Sequence, residues 1–368
     1  MEHYNFYKNR AEENKPFEPD GKNPLSFELS PDEQFPMLNR DGQPAGTKGK
    51  GTIIRGKEYD PPEPLQHAVN VALMLHKPLL LTGEPGTGKS DLAYHLALHF
   101  GWGEVEHFVT RTDSVATDLL YRYDSLAHFQ KVNSQKERGR KLPVDEIEKL
   151  FISYVALGRA ICDSSGYNDE KVARRRVVLI DEIDKAPRDL PNDILTYIEE
   201  MRFEVPQLKT ADGLQYPSKE KPIYKKTGNE ELKPVVILTS NSEKTLPEAF
   251  LRRCLFFHID MPERKHLMKI LLLKKSILPG ITEPECDEFI TLFYAIRDLV
   301  KGKKPATHEL ILWTWWMRKH GFTPSDIYHY DKHAPTAKIL LSGISVLAKE
   351  ADDWKKVTNA IVNNTLKG

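Results

Sequence analysis

Cysteine is scarce in this chain: its three residues, Cys162, Cys254 and Cys286, lie far apart and form no C-x-x-C pair. That argues against a disulfide framework or a zinc ribbon and fits a reducing, cytoplasmic compartment. Net charge is lacking too. Lys plus Arg and Asp plus Glu both number 53, so neither a globally basic nucleic-acid binder nor a polybasic membrane binder is indicated. No run approaches the roughly 18 consecutive apolar residues of a membrane span. Residues 1–15 are polar and charged, without the apolar segment of an export signal. Internal repeats and low-complexity tracts are absent. The chain has 368 residues, enough for two domains or for one domain with a substantial appendage.

Residues 1–50 are rich in Pro, Gly, Asn and charge, with scattered aromatics (Tyr4, Phe6, Tyr7, Phe17, Phe27), and read as an irregular leader. After Pro61-Pro62, the residues Leu65, Val69, Ala72, Leu73 and Leu75 mark one face of a helix that ends before Pro78. Apolar runs at Leu79–Leu81, Val177–Ile180, Val235–Leu238 and Leu255–Ile259, with Val105–Thr110, predict strands. Helical patterns fall between them, including 92–100, 145–160 and 187–201. Alternating strands and helices predict a parallel sheet covered on both faces, with ligands at the carboxyl ends of its strands. Two polar segments, 111–144 and 203–233, look like insertions. Beyond Met261-Pro262 the pattern is helical throughout (263–278, 285–300, 307–320, 335–349, 352–366), so the expected division is 51–262 and 263–368.

The stretch Gly83-Glu84-Pro85-Gly86-Thr87-Gly88-Lys89-Ser90 lies between a strand pattern and a helix pattern opened by Asp91. Its spacing matches G-x-x-x-x-G-K-S/T. Glycines let backbone N–H groups turn toward phosphates, Lys89 reaches the β and γ oxygens, and the Ser90 hydroxyl can ligate Mg²⁺. The helix that follows aims its N-terminal dipole at the same anion. The strand Val177–Ile180 delivers Asp181 and Glu182 to its exposed end, where Asp181 can hold the metal ion and Glu182 can act as general base. Asn241 ends another strand and can position the attacking water. The pair Arg252-Arg253 suits charge stabilisation on a phosphoryl group, including from a neighbouring subunit.

In combination these residues resemble the AAA+ ATPases, and within them the MoxR-like branch. The resemblance rests on the loop 83–90, on 177–187, on the helix 192–201, and on 238–244 running into Leu246-Pro-Glu-Ala-Phe-Leu-Arg-Arg-Cys254. It implies a P-loop NTPase domain with a five-stranded parallel sheet and an all-helical lid. It also implies ATP and Mg²⁺ as cofactors, Asn241 as sensor 1, and Arg253 as the arginine finger with Arg252 beside it. The segment 203–233 would be a hairpin insertion, and the assembly a ring, usually a hexamer. The family's lid arginine, sensor 2, has no clear counterpart in Lys303–Leu310, where Glu309 holds the closest position and Lys304 offers only a point charge.

Relatives of that branch act as chaperones on protein clients, often with a von Willebrand A domain partner. A McrB-like motor of a nucleic-acid restriction system, favouring GTP, and a nucleotide-gated scaffold with little turnover are the other readings. Trp313, Trp315 and Trp316 read as lid core, Cys254 and His258 as packing rather than metal ligands, and Tyr59 with Ile53-Ile54 either as adenine-pocket walls or as an anchor for the leader. The run Arg174-Arg175-Arg176 reads most simply as a solvated entrance to the sheet, with an intersubunit contact as the lesser alternative.

Overall fold

A computed structural model describes residues 56–136, 150–166, 172–208, 230–241 and 245–366. The leader, Ile53-Ile54, residues 137–149 (the end of the first expected insertion and the start of the expected helix 145–160), residues 209–229 of the second insertion and residues 242–244 lie outside the described residues. The chain divides into two compact units. One holds Glu63–Thr82 and Leu92–His258; the other holds Ile259–Gly368 together with the short segments Lys57–Pro62 and Gly83–Asp91.

The first unit is built on a five-stranded sheet in the order β2-β5-β6-β1-β7. Its strands are β1 (Leu79–Gly83), β2 (Glu106–Val109), β5 (Val177–Asp181), β6 (Val235–Ser240) and β7 (Leu255–Ile259). β1, β5 and β6 are buried almost throughout, as continuous apolar runs in a parallel sheet should be. Pairing is parallel, with Thr82 opposite Ser240 and Ile180 opposite Leu238, so the carboxyl ends of β1, β6 and β5 lie along one edge. β2 joins in the same sense, Val109 opposite Asp181. From β1 the chain crosses to β2 at the far edge, while β7 lies on the other side of β1, which makes β1 the switch point beside which α/β proteins hold ligands.

Helix α1 (Glu63–Leu75) buries Leu65, Val69, Ala72 and Leu73 and stops where His76 turns left-handed, at φ 51°, ahead of Pro78. Helix α2 (Asp91–His99) buries Leu92, Ala93, Leu96 and Ala97. The core joins Leu80, Val178, Ile180, Val236 and Leu238 to Leu157, Ile161, Ile194, Ile198 and Phe250. Burying each such side chain contributes about 1.5–3 kcal/mol.

Four expectations are corrected in this unit. Residues 145–160 do not form one helix: Ile152–Tyr154 is a strand, β4, and helix α4 (Ala156–Ser164) starts only after it, while 145–149 lie outside the described residues. The apolar and aromatic Ile152 and Tyr154 pair antiparallel with β3 (Tyr121–Tyr123), and that tertiary pairing outweighs the local helical pattern. Segment 111–144 is accordingly no simple projection. It supplies β3, helix α3 (Ser125–Lys136) and the buried Leu119, Leu120 and Tyr121. Likewise Phe203 and Val205 are buried, with Phe203 stacked on Tyr121 at 6.4 Å, so the first residues of the second segment belong to the core. The arginine run is not simply solvated either. Arg175 is buried over the Trp102 ring, which lowers its pKa to about 10 by desolvation, and Arg176 pairs with Asp163 at 2.7 Å.

Helix α5 (Leu190–Glu200) and the short α6 (Glu248–Leu251) complete the first unit. The second contains α7 (Arg264–Leu273), α8 (Glu283–Leu299), α9 (Thr307–Lys319), α10 (Pro324–Tyr328), α11 (Ala337–Ser342) and α12 (Ala351–Val362). Helix α10 was missed in the pattern because it spans little more than one turn, and the expected helix 335–349 is broken into α11 and a 3₁₀ turn. Trp313 is fully buried and meets Phe289 edge-on at 5.8 Å, and Trp316 stacks on Phe322, which places both in the helical core. Trp315 is more exposed, beside Lys319.

Gly158 sits where α4 crosses the backbone of Leu120, and a Cβ there would lie 1.9 Å from the Leu120 carbonyl oxygen. Gly158→Ala is expected to destabilise the fold by about 2–4 kcal/mol, read as a fall in thermal midpoint; a stability equal to wild type would contradict this packing.

Candidate functional site

In the first unit, Asp181 ends β5 and Glu182 follows with a left-handed backbone, φ 59°. Between β5 and β6 the buried Thr239 hydroxyl donates to the Asp181 carboxylate and accepts the Glu182 backbone N–H at 3.0 Å. One hydroxyl therefore fixes two adjacent acidic residues. His107 Nε2 lies 3.4 Å from the other Asp181 oxygen, and Lys185 pairs with Glu182 at 2.8 Å. Glu182 and Lys185 are both about a third exposed, so the Glu182 carboxylate can leave that partner at little cost.

Asn241 follows β6, and its backbone N–H points to Asp184 Oδ1 at 3.4 Å. Arg253 lies 3.5 Å from Glu199 and Arg252 pairs with Glu248; the Arg252 side chain is largely exposed and that of Arg253 about half. His258 Nδ1 is 2.9 Å from Thr82 Oγ1, and burial pushes the Cys254 thiol up to about 12, which disfavours the thiolate that a metal ligand needs. Among the described residues no group of three or more His, Cys, Asp or Glu side chains is arranged to hold a metal ion.

In the second unit, the loop from Gly83 to Asp91 carries positive φ at Gly83 (142°), Gly86 (83°) and Gly88 (87°). Side chains would strain the backbone there, so these glycines are structural requirements. Lys89 is buried, and its Nζ donates to the carbonyls of Gly83 (2.9 Å) and Glu84 (3.0 Å). Thr87 Oγ1 donates to the Glu84 carbonyl at 2.9 Å, Asp91 N–H closes on Gly88 O, and Ser90 is half-buried beside Lys89; Pro85 is exposed. A Cβ on Gly88 would meet the Tyr59 ring at 2.9 Å. Tyr59 therefore lies against the loop, and desolvation raises the pKa of its phenol.

Helix α9 begins beside the same loop. The His308 N–H donates to Gly86 O at 3.1 Å. Glu309, at the position expected nearest to sensor 2, accepts from Ala306 N–H and so caps its own helix. From α8, Arg297 reaches Glu84 at 2.8 Å.

These residues fit a phosphate ligand. Glycine N–H groups freed by positive φ, a lysine ammonium and a helix start suit an oxyanion, and the Ser90 hydroxyl of the same loop is a hard oxygen donor of the kind Mg²⁺ prefers; in the first unit the Asp181 carboxylate is a donor of the same chemistry.

The parallel sheet in the order above, the glycine loop after its switch-point strand and the helical C-terminal region are those of the AAA+ P-loop fold. Residues 78–254 match the family model of the AAA domain (dynein-related subfamily), and the match supports an AAA+ ATPase. No curated protein matches the chain. Among solved structures, a candidate ATPase from Cytophaga hutchinsonii is 14% identical over 86% of this chain and 86% of its own, with a TM-score of 0.35. A point mutant of RuvB from Thermotoga maritima is 14% identical over 84% of this chain and 90% of its own, with a TM-score of 0.38. Superposition that loose adds nothing to the assignment.

Two residues escaped the sequence. Thr239 lies within 238–244, where a hydroxyl one residue before a strand end is the available signal. Arg297 stands 213 positions from Glu84, and no local pattern joins them. Thr239→Val should leave the Glu182 N–H and Asp181 without their shared partner and cost about 1–3 kcal/mol of stability. It should also slow nucleotide turnover; wild-type values in both calorimetry and phosphate release would show the clamp to be idle.

Proposed function

We propose that this protein is a Mg²⁺-dependent ATPase of the MoxR-like kind, which couples turnover to remodelling or maturation of a protein client. One observation carries the reading. The carboxyl ends of β1, β5 and β6 share one sheet edge, and in the sequence these strands run directly into the glycine loop, Asp181-Glu182 and Asn241. Lys89 binds the β and γ oxygens after exchanging its loop carbonyls for them, and the loop N–H groups orient the phosphates. Ser90 and Asp181 would hold the Mg²⁺, which neutralises charge on the transferring phosphate. Thr239 holds Asp181 in place for that role.

Glu182, released from Lys185, takes the proton of the attacking water, and the Asn241 amide orients that water. Arg253 and Arg252, exposed at the end of α6, supply positive charge to the nucleotide of a neighbouring subunit in a homo-oligomeric ring, for which a hexamer is the model. A von Willebrand A domain protein is the proposed partner, on the resemblance of the motifs alone.

Glu182→Gln should retain nucleotide binding and lower kcat by about 10²–10⁴-fold, whereas Lys89→Ala should lose binding. Phosphate release and equilibrium binding, run with ATP and with GTP and with or without DNA, test this. Normal turnover in Glu182→Gln would place the base elsewhere, and a GTP preference with DNA stimulation would favour the restriction-motor reading.

A further inference from the structure

Arg297 is more than nine-tenths buried, on the last turn of α8. A guanidinium removed from water needs partners, and a partial set is costly. One arm of Arg297 donates to the Pro305 carbonyl, in the turn before α9. The other reaches past its own helices to the Glu84 carboxylate at 2.8 Å. Glu84 is itself the hub of the loop, because its backbone carbonyl accepts both the Lys89 ammonium and the Thr87 hydroxyl. Two residues further on, Gly86 O accepts the His308 N–H from the start of α9. The loop is thus pinned from outside at Glu84 and at Gly86, and both pins come from the elements that Arg297 holds together.

We propose that Arg297 is a positioning residue for nucleotide binding, acting through the Glu84 carboxylate to hold the glycine loop in its phosphate-ready form. This rests on the nucleotide reading given above. The glycines that let the loop face phosphate also leave it many conformations, and the ordering cost falls on binding unless it is met beforehand. Loss of the pin therefore lowers affinity for ground and transition states alike, which raises KM and Kd more than it lowers kcat.

The Glu84 side chain is about half exposed, so Glu84→Gln removes the pairing charge without opening the core. Binding of a non-hydrolysable ATP analogue to Glu84→Gln is expected to weaken about tenfold, within the range of couplings between sites, with the loss in turnover falling on KM. Arg297→Met should weaken binding to a similar extent, and the double variant no further, because both remove one interaction. Wild-type affinity in Glu84→Gln, or additive losses in the double variant, would overturn the proposal. If Arg297→Met does not fold, Glu84→Gln alone decides. Lys89→Ala separates the two ideas: should it bind as wild type, the nucleotide reading fails, whereas lost binding there with unchanged binding in Glu84→Gln sinks only the role of Arg297.

Discussion

Parallel pairing of β1 with β6 and of β6 with β5 constrains everything that follows. In an antiparallel sheet β6, which lies between β1 and β5, would run against both, and Asn241 would leave from the edge opposite to the ends of its two neighbours. Here the register gives a single edge, and the burial of all three strands makes a slip of one residue prohibitive, since it would exchange the side chains facing each layer. The candidate chemistry therefore inherits its placement from hydrophobic burial. Polar groups then refine that placement, as Thr239 does by bridging Asp181 and the Glu182 backbone between neighbouring strands.

The second unit shows a different relation between packing and chemistry. Its core lies around Trp313, Phe289 and Phe293. Short pieces of chain from far upstream are bound to it by polar contacts. Glu58 accepts the Ser276 N–H and hydroxyl, Asp60 O lies 2.9 Å from His266 Nε2, and the loop is held by Arg297 and His308. The exposed contacts of Glu58 with Ser276 contribute little each, whereas the buried Arg297 depends on its partners.

Much of the architecture was legible because the strands are long apolar runs and the glycine loop has fixed spacing. Leu79–Leu81, Val177–Ile180 and Val235–Leu238 read correctly as buried strands for that reason. The β3–β4 pair did not, since three-residue strands lack periodicity and their aromatic residues gain their meaning from Phe203, far along the chain. Helix ends in the second unit shifted by several residues, as at Leu273 and Ser342, where local propensity is indifferent and tertiary contacts decide. At the candidate site the motif positions could be read directly. Their partners could not, because Thr239 and Arg297 are joined to the site by folding alone.

Glu182 adopts a backbone conformation that asparagine or glycine would occupy with less steric penalty. Keeping glutamate there trades a fraction of the fold's thermodynamic reserve for a carboxylate at one fixed place, the kind of compromise in which a more durable variant is a less capable one.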